Sequence, residues 1–568
     1  MSLISSNPAL GALTREWQLL MVYAFTFAGK PHPFLASIGC ATCFIVSRYW
    51  LRRAYLQLRG RGPIKSIQQL YEYVRKTLYG WFLELPFVAQ KVSTEVSGSL
   101  EKVAEKLLPS CEVQRYTKLP QTGWELERVE SEIDKLAAME HVRWEDGRVS
   151  GAVYHGGRDL TELQTKTYGV FAVANPIHPD VFPAVRKMEA EIVSMVLSLF
   201  NAPDGSAGVC TSGGTESILS ACFAARERAR MERGIRKPEM IIPVTAHPAF
   251  RKAGHYFNIK VHEVECPAPT YRADTRAVAR LINSNTALIV GSAPNFPHGV
   301  VDNITELSRI ALRNRVGLHV DCCLGSFLLP FLSQAGFETE PFDFRLPGVV
   351  SISCDTHKYG FAPKGSSVVL YRSSKLRSYQ YYIEPDWCGG LYVSPGMMGS
   401  RPGALIAGCW ASMMSQGQSG YLEACRQIVG SAKKIETALR SKPFATHVQV
   451  IGKPLVSVVA FTSKSLNIWA VADEMSGRGW HLNAMQNPPA IHIAVTMPVA
   501  KVDDQLLQDL AEVVQEEVAK LEKRRLEGSK EEGTPGDSVA LYGVAGSLPS
   551  KGVVVKLANG YLDTLYRT

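Results

Sequence analysis

Ser353-Cys354-Asp355-Thr356-His357-Lys358-Tyr359-Gly360 follows the apolar run Val349 to Ile352. A lysine set directly after a polar turn, at the end of a strand, can project its amine into a pocket. Most lysines are solvated surface charges, so the reading of Lys358 rests on what lies around it. Upstream, Val209-Cys210-Thr211-Ser212-Gly213-Gly214-Thr215-Glu216-Ser217 runs from an apolar strand into the helical pattern Ile218, Leu219, Cys222, Ala225. Exposed amides at such a helix start can hold a phosphate, and glycines let the backbone come close to it. Between the two stretches, Leu318-His319-Val320-Asp321 ends another apolar strand on an acid.

Phosphate cradle, strand-end acid and lysine, in that order, are the arrangement expected of a fold-type-I pyridoxal phosphate enzyme. The amine of Lys358 would form a Schiff base with the cofactor, Asp321 would keep its pyridinium nitrogen protonated, and Gly213, Gly214 and Thr215 would cradle its phosphate. His247, in Ala246-His247-Pro248-Ala249-Phe250, sits where this fold sets a ring against the cofactor face, and His357 adjoins the lysine. Taken singly, a Gly-Gly pair is a turn, a strand-end Asp a cap and a His a satisfied polar group. Together and in this order they specify a cofactor site.

The chain of 568 residues exceeds one simple domain and has the composition of a soluble protein. Its net charge of +9 is unevenly placed, because residues 1–80 hold ten Lys or Arg against two acids. A nucleic-acid-binding body would carry that charge on its folded face, so no nucleic-acid partner is expected. Apolar stretches Trp17 to Gly29 and Pro33 to Val46 lie in the same segment, and extending the second to Leu51 gives the length of one membrane span if Arg48 snorkels to the interface, the alternative being an amphipathic or re-entrant anchor or a buried helix. The basic residues from Arg48 to Lys76 put its carboxyl-terminal side, and the body, in the cytosol. No basic region precedes the apolar stretches, which argues against a cleaved secretory signal. Twelve cysteines in a chain of this length suit free thiols in a reducing compartment, and Cys40 and Cys43 read as packing residues, with no metal site implied.

An amphipathic pattern from Phe87 to Leu108 predicts a linking helix. Strands are expected near 207–211, 240–244, 287–290, 317–320, 349–352 and 367–371, alternating with helices, which argues for a mainly parallel α/β sheet covered on both faces. Further strands near 455–461 and 491–495 suggest a smaller carboxyl-terminal α+β domain, and Glu527 to Asp537 reads as an exposed loop. The expected division is 1–60 anchor and basic flank, 61–150 helical linker, 151–400 cofactor-binding domain, and 401–568 small domain and tail.

Ser150-Gly151-Ala152-Val153-Tyr154, Asn175-Pro176-Ile177-His178-Pro179-Asp180, Asn295-Phe296-Pro297-His298-Gly299, Asp355 to Gly360 and Ala362-Pro363-Lys364-Gly365-Ser366 together resemble the sphingosine-1-phosphate lyase family. The similarity runs from about Leu119 to Val495, with a weaker match from Ala540 to Tyr566. It implies retro-aldol cleavage of a phosphorylated long-chain base to phosphoethanolamine and a fatty aldehyde, on an endoplasmic reticulum membrane. By that resemblance Tyr154, Asn175, His178 and Lys364 surround the substrate and its phosphate, and Cys323 is an active-site cysteine, with Cys322 standing where the family commonly has alanine. Gly399 and Ser400 match a loop that reaches the cofactor phosphate of a neighbouring subunit, which implies a homodimer with shared sites. The base for the substrate hydroxyl stays open between Lys358 and Lys364. An amino-acid decarboxylase on the same fold is the competing reading, and a non-enzymatic anchored scaffold a third.

Overall fold

The computed structural model describes residues 41–48, parts of 51–62, then 63–107, 114–139, 142–527 and 552–567. The apolar stretch Trp17 to Gly29, residues 33–40 of the second stretch including Cys40, and nearly all of the loop expected at Glu527 to Asp537 lie outside the described residues. Among the described residues no helix is long and apolar enough to cross a membrane. The chain divides into two units, Met1–Tyr71 and Glu72–Thr568.

Helices α1 (Pro63–Leu83) and α2 (Pro86–Leu107) each begin on proline, whose missing N–H costs nothing in a first helical turn. α3 (Leu126–Ala137), α4 (Arg158–Phe171) and α5 (Pro183–Leu199) lead into the body. There the seven strands β1 (Ala207–Thr211), β2 (Glu239–Pro243), β3 (Lys260–Val264), β4 (Thr286–Ser292), β5 (Gly317–Asp321), β6 (Val349–Cys354) and β7 (Ser367–Tyr371) form one sheet in the order β1-β7-β6-β5-β4-β2-β3. Only β7 runs against its neighbours. Strands β1, β2, β5 and β7 are buried along their whole length, as continuous apolar runs must be when helices cover both faces.

Of the crossover helices, α6 (Gly214–Arg233), α7 (Pro248–Tyr256), α8 (Thr275–Leu281) and α9 (Ile304–Arg313), two start where chemistry is expected. The Ser212 amide and hydroxyl both donate to Glu216 Oε2, at 2.8 and 2.7 Å, so a carboxylate in the first turn of α6 holds the residue that leaves β1. α7 is capped by His247, whose Nδ1 accepts from the Ala249 amide at 3.2 Å, with Pro248 in the first turn.

After α10 (Ser374–Ser378), a short hairpin of β8 (Tyr382–Glu384) and β9 (Tyr392–Ser394) precedes α11 (Gly403–Leu439), which breaks at Gly417. The carboxyl-terminal part is an antiparallel sheet, β10 (Gln449–Val450), β11 (Val458–Thr462), β13 (Ala490–Ala494) and β12 (Asn483–Met485) in that spatial order, packed against α12 (Ile468–Gly477) and α11, with α13 (Asp503–Glu527) lying on those helices. The expected strand near 455–461 therefore begins three residues later, and β3, β8, β9, β10 and β12 were not read from the sequence. The linking helix is α2, within a residue of its expected bounds. The last helix, α14 (Gly552–Thr564), packs on α2 so closely that a Cβ on Gly560 would lie 2.2 Å from Leu100 Cδ1.

Candidate active site

Parallel strands leave their carboxyl ends along one edge, and the functional residues gather there. Asp321 ends β5, Cys354 ends β6, and Thr211 ends β1 one residue before the Ser212-Gly213-Gly214 turn. Lys358 follows β6 in a tight reversal in which the Phe361 amide donates to the Lys358 carbonyl at 3.0 Å with Phe361 at φ 58°. Gly360 is required in that turn, since a Cβ would meet the Thr356 carbonyl oxygen at 2.5 Å. The Tyr359 hydroxyl donates to the Val495 carbonyl at 2.8 Å and so ties the lysine segment to the small sheet.

Lys358 Nζ forms an ion pair with Asp355 Oδ2 at 2.8 Å, both side chains being largely buried. Burial opposes the ammonium charge, but Asp355, helped by Cys323 and Tyr154, outweighs it and pushes the amine well above the ordinary lysine range. Burial likewise raises the Asp355 carboxyl, and Lys358 and His357 more than compensate, holding it below the usual aspartate value. Asp355 is the residue that sequence reasoning missed. The Asp-x-x-Lys spacing was its signal, because the turn after β6 folds positions 355 and 358 onto one another.

Asp321 is anchored through Oδ1, which accepts from the Cys323 amide at 3.1 Å and the Ser353 hydroxyl at 3.2 Å. Behind it His319 lies between Ser351 and Ser353, at 2.8 and 3.2 Å, and burial lowers the imidazole to about 4 despite the nearby carboxylate. With Ser353 donating to Asp321, the neutral ring donates from Nε2 and accepts at Nδ1. This buried chain of hydroxyls and ring was likewise unread in the sequence.

His357 is locked to Ser366: the His357 amide donates to the Ser366 carbonyl at 3.1 Å, and the Ser366 amide donates to His357 Nδ1 at 3.2 Å. Tyr154 packs edge-on against Tyr359 with centroids 4.9 Å apart, and Lys364 Nζ lies 4.5 Å from the centre of the Tyr154 ring. Burial, with Lys358 adding to it, lowers the Lys364 amine to about 8. Cys323 is buried, and burial followed by the charges of Asp321 and Asp355 drives its thiol far above the normal range, so it is a neutral wall of the site.

A second cluster forms a seam between the 175–182 loop and the segment before α11. Asn175 Nδ2 donates to Ser400 Oγ at 3.0 Å, and the Arg401 amide donates to Asn175 Oδ1 at 3.2 Å. A Cβ on Gly399 would meet the Tyr392 hydroxyl at 3.2 Å and Ile177 Cδ1 at 3.9 Å. His178 lies exposed in the same loop. The structure thus brings Lys358, Asp355, His357, Asp321, Cys323, Tyr154, Lys364, Gly213 and Gly214 to one place, and Asn175, His178, Gly399 and Ser400 to another. His247 and Thr215 stand at the starts of α7 and α6.

These residues fit pyridoxal phosphate. A Cβ on Gly214 would lie 2.7 and 2.8 Å from the Asp355 carboxylate oxygens and 2.9 Å from Cys323 Sγ, so the first turn of α6 passes directly over the floor that holds Lys358. A primary amine, a helix start bare of side chains and a carboxylate fixed through one oxygen are the donor set that an aldehyde, a phosphate and a ring nitrogen need.

Comparison with known proteins agrees. Residues 110–464 match the pyridoxal-dependent decarboxylase conserved domain. The chain is 48% identical to sphingosine-1-phosphate lyase of Saccharomyces cerevisiae over 90% of this chain and 86% of that one, and 40% identical to the Arabidopsis thaliana enzyme over 87% and 90%. The solved sphingosine-1-phosphate lyase of Burkholderia pseudomallei superposes with a TM-score of 0.70 at 40% identity, covering 74% of this chain and 98% of that one. A glutamate decarboxylase of Lactobacillus brevis, 20% identical with a TM-score of 0.61 over 72% of this chain and 97% of that one, shares the fold alone. Conserved domain, near full-length identity and site chemistry converge, and the chain belongs to the sphingosine-1-phosphate lyase family of pyridoxal phosphate-dependent enzymes.

Proposed function

We propose that this chain cleaves a phosphorylated long-chain base between C2 and C3, giving phosphoethanolamine and a fatty aldehyde. The bound cofactor supplies an electron sink for the pair released from the breaking bond. Lys358, with Gly213, Gly214, Thr215, His247, Asp321 and His357, would hold it, and by the family resemblance Gly399 and Ser400 would complete the phosphate contacts from a partner subunit. The chain's own task is proton handling: the C3 hydroxyl must lose a proton as the bond breaks, and C2 must gain one.

The observation that carries this reading is a second lysine beside the first. The Lys364 amine lies over Tyr154, within electrostatic reach of Lys358 and Asp355, and titrates near 8. An amine poised close to neutrality serves the C3 hydroxyl as a base, or in its charged form helps bind the substrate phosphate alongside Tyr154, Asn175 and His178. An amino-acid decarboxylase has no substrate phosphate to bind and no substrate hydroxyl to deprotonate, so it needs no such second amine. Incubating purified protein with phosphorylated long-chain base should release fatty aldehyde and phosphoethanolamine in equal amounts. Carbon dioxide from an amino acid, with no aldehyde from the lipid, would overturn the assignment.

A homodimer with shared sites is supported by the apolar residues exposed around the Asn175–Ser400 seam, Val173, Val181, Ile383, Leu391, Val393 and Met397 among them. Attachment to a membrane by one span, with the catalytic body in the cytosol, is supported by the amino-terminal apolar and basic pattern, and the endoplasmic reticulum as that membrane by the family resemblance. Exposed Tyr71, Tyr73, Trp81 and Phe82 on α1 are of the residue types that suit a membrane interface. Sedimentation of detergent-purified protein tests the dimer, and carbonate extraction of membranes tests the span.

A further inference from the structure

The carboxyl end of α6 is strongly basic, with Arg226, Arg228, Arg230 and Arg233 in its last turns and Arg236 just beyond. A cavity of about 460 Å³ opens there, lined by Arg226, Arg230, Gly234, Ile235, Arg236 and Pro238. Its volume falls within the roughly 300–1,000 Å³ that small-molecule sites occupy. Three guanidiniums face it, and one carboxylate balances them: Glu227 pairs with Arg226 at 3.1 Å and with Arg230 at 2.7 Å. Among the described residues Arg236 has no ion pair or hydrogen bond. The other acids nearby are engaged elsewhere. Glu232 is held by Arg228, Lys375 and Tyr379, and Glu239 by His262 and Asn283.

The lining has the shape of an anion site. Gly234 turns the chain with φ 64°, and nothing lies within 4 Å of where its Cβ would be, so the approach is open. The Gly234 and Ile235 amides donate to the Arg230 and Ala229 carbonyls and close the end of α6, where the clustered guanidiniums oppose the negative end of the helix dipole. Buried Ile235 and Pro238 supply a low-dielectric floor beneath the guanidiniums. Planar guanidinium forks match phosphate oxygens two at a time.

We infer that this cavity is a second binding site, separate from the catalytic one, for a ligand bearing phosphate groups read by Arg226, Arg230 and Arg236. It is not the substrate phosphate site. α6 starts against Asp355 and Cys323 and ends at the cavity, and its 20 residues span about 30 Å. A soluble polyphosphate and a phosphorylated lipid headgroup present the same chemistry.

The test uses the full-length holoenzyme in detergent, titrated with pyrophosphate, and in parallel with phosphatidylcholine vesicles with and without a phosphoinositide. Each titration is repeated for Arg236→Gln and for the double variant Arg226→Gln/Arg236→Gln. The expected result is pyrophosphate binding that weakens about tenfold in Arg236→Gln and further in the double variant, with turnover of phosphorylated long-chain base unchanged. Phosphoinositide vesicles that show the same dependence at lower concentration assign the ligand to the membrane, and vesicles that do not assign it to the soluble phase. Affinity for both probes within twofold of wild type in the double variant overturns the inference, as does no saturable binding of either. Arg236 has no partner to lose, so the single variant remains informative if the double one misfolds.

Discussion

Asp355 and Lys358 form a buried pair in which each charge is the main support of the other. Replacing Asp355 with Asn should let burial prevail at Lys358 and lower its amine, so the apoprotein should capture the cofactor covalently at a lower pH than wild type. A capture profile that does not move would show that Asp355 does not govern the amine. Lys358→Ala should abolish both capture and turnover, and borohydride reduction followed by peptide mapping should find the cofactor on position 358. Lys364 titrates near 8, so turnover should show a limb there that vanishes in Lys364→Arg. Rising turnover with pH assigns a base, and falling turnover a phosphate-binding cation. A limb that persists in the arginine variant would exclude Lys364 from either role. At this scale Lys358 and Asp321 were legible because chain order and strand ends expose them in one dimension. Asp355 was missed although its spacing from Lys358 carried a signal, and Ser353 and His319 were hidden because their meaning lies in contacts across β5 and β6, while the substrate roles of His178 and Asn175 rest on resemblance alone.

The start of α6 is the element on which cofactor binding depends. Gly214→Ala would push a methyl group into the Asp355 carboxylate and Cys323. We expect at least tenfold weaker cofactor affinity, about 1.4 kcal/mol, with unchanged far-ultraviolet circular dichroism. Affinity within twofold of wild type would mean that the turn is not the phosphate cradle. The sequence revealed the central strands because continuous apolar runs between polar turns have few other readings. It hid β3, whose Lys-Val-His-Glu-Val alternates at a sheet edge and is exposed or half-buried at three positions. The hairpin of β8 and β9 was hidden too, since three-residue strands carry too little periodicity to register.

Across the whole molecule, the small sheet meets the body through buried histidines. His492 Nδ1 donates to the Pro297 carbonyl at 3.0 Å, and burial lowers both His298 and His492 to about 4. The unfolded chain, with histidines near 6.5, binds more protons between those values. Stability should therefore be complete above about pH 6.5 and fall as pH drops toward 4, by on the order of 1–2 kcal/mol per ring at pH 5. Urea midpoints at pH 7.5 and 5 measure this, and His492→Gln should flatten the decline; an equal decline in the variant would assign it to other groups.

The contact of α14 with α2 also has a history in time. α2 emerges early in synthesis, and its partner helix is made some 450 residues later. At about 5–20 residues per second the Leu100 face waits roughly half a minute to a minute and a half for its cover. A nascent chain must shelter that face by other means, and a polypeptide stopped at Glu527 should be cut by protease within residues 86–107 while the finished protein resists. Mutations that spare every catalytic group but shorten the tail would then act through lost protein in the cell, with the surviving molecules fully competent.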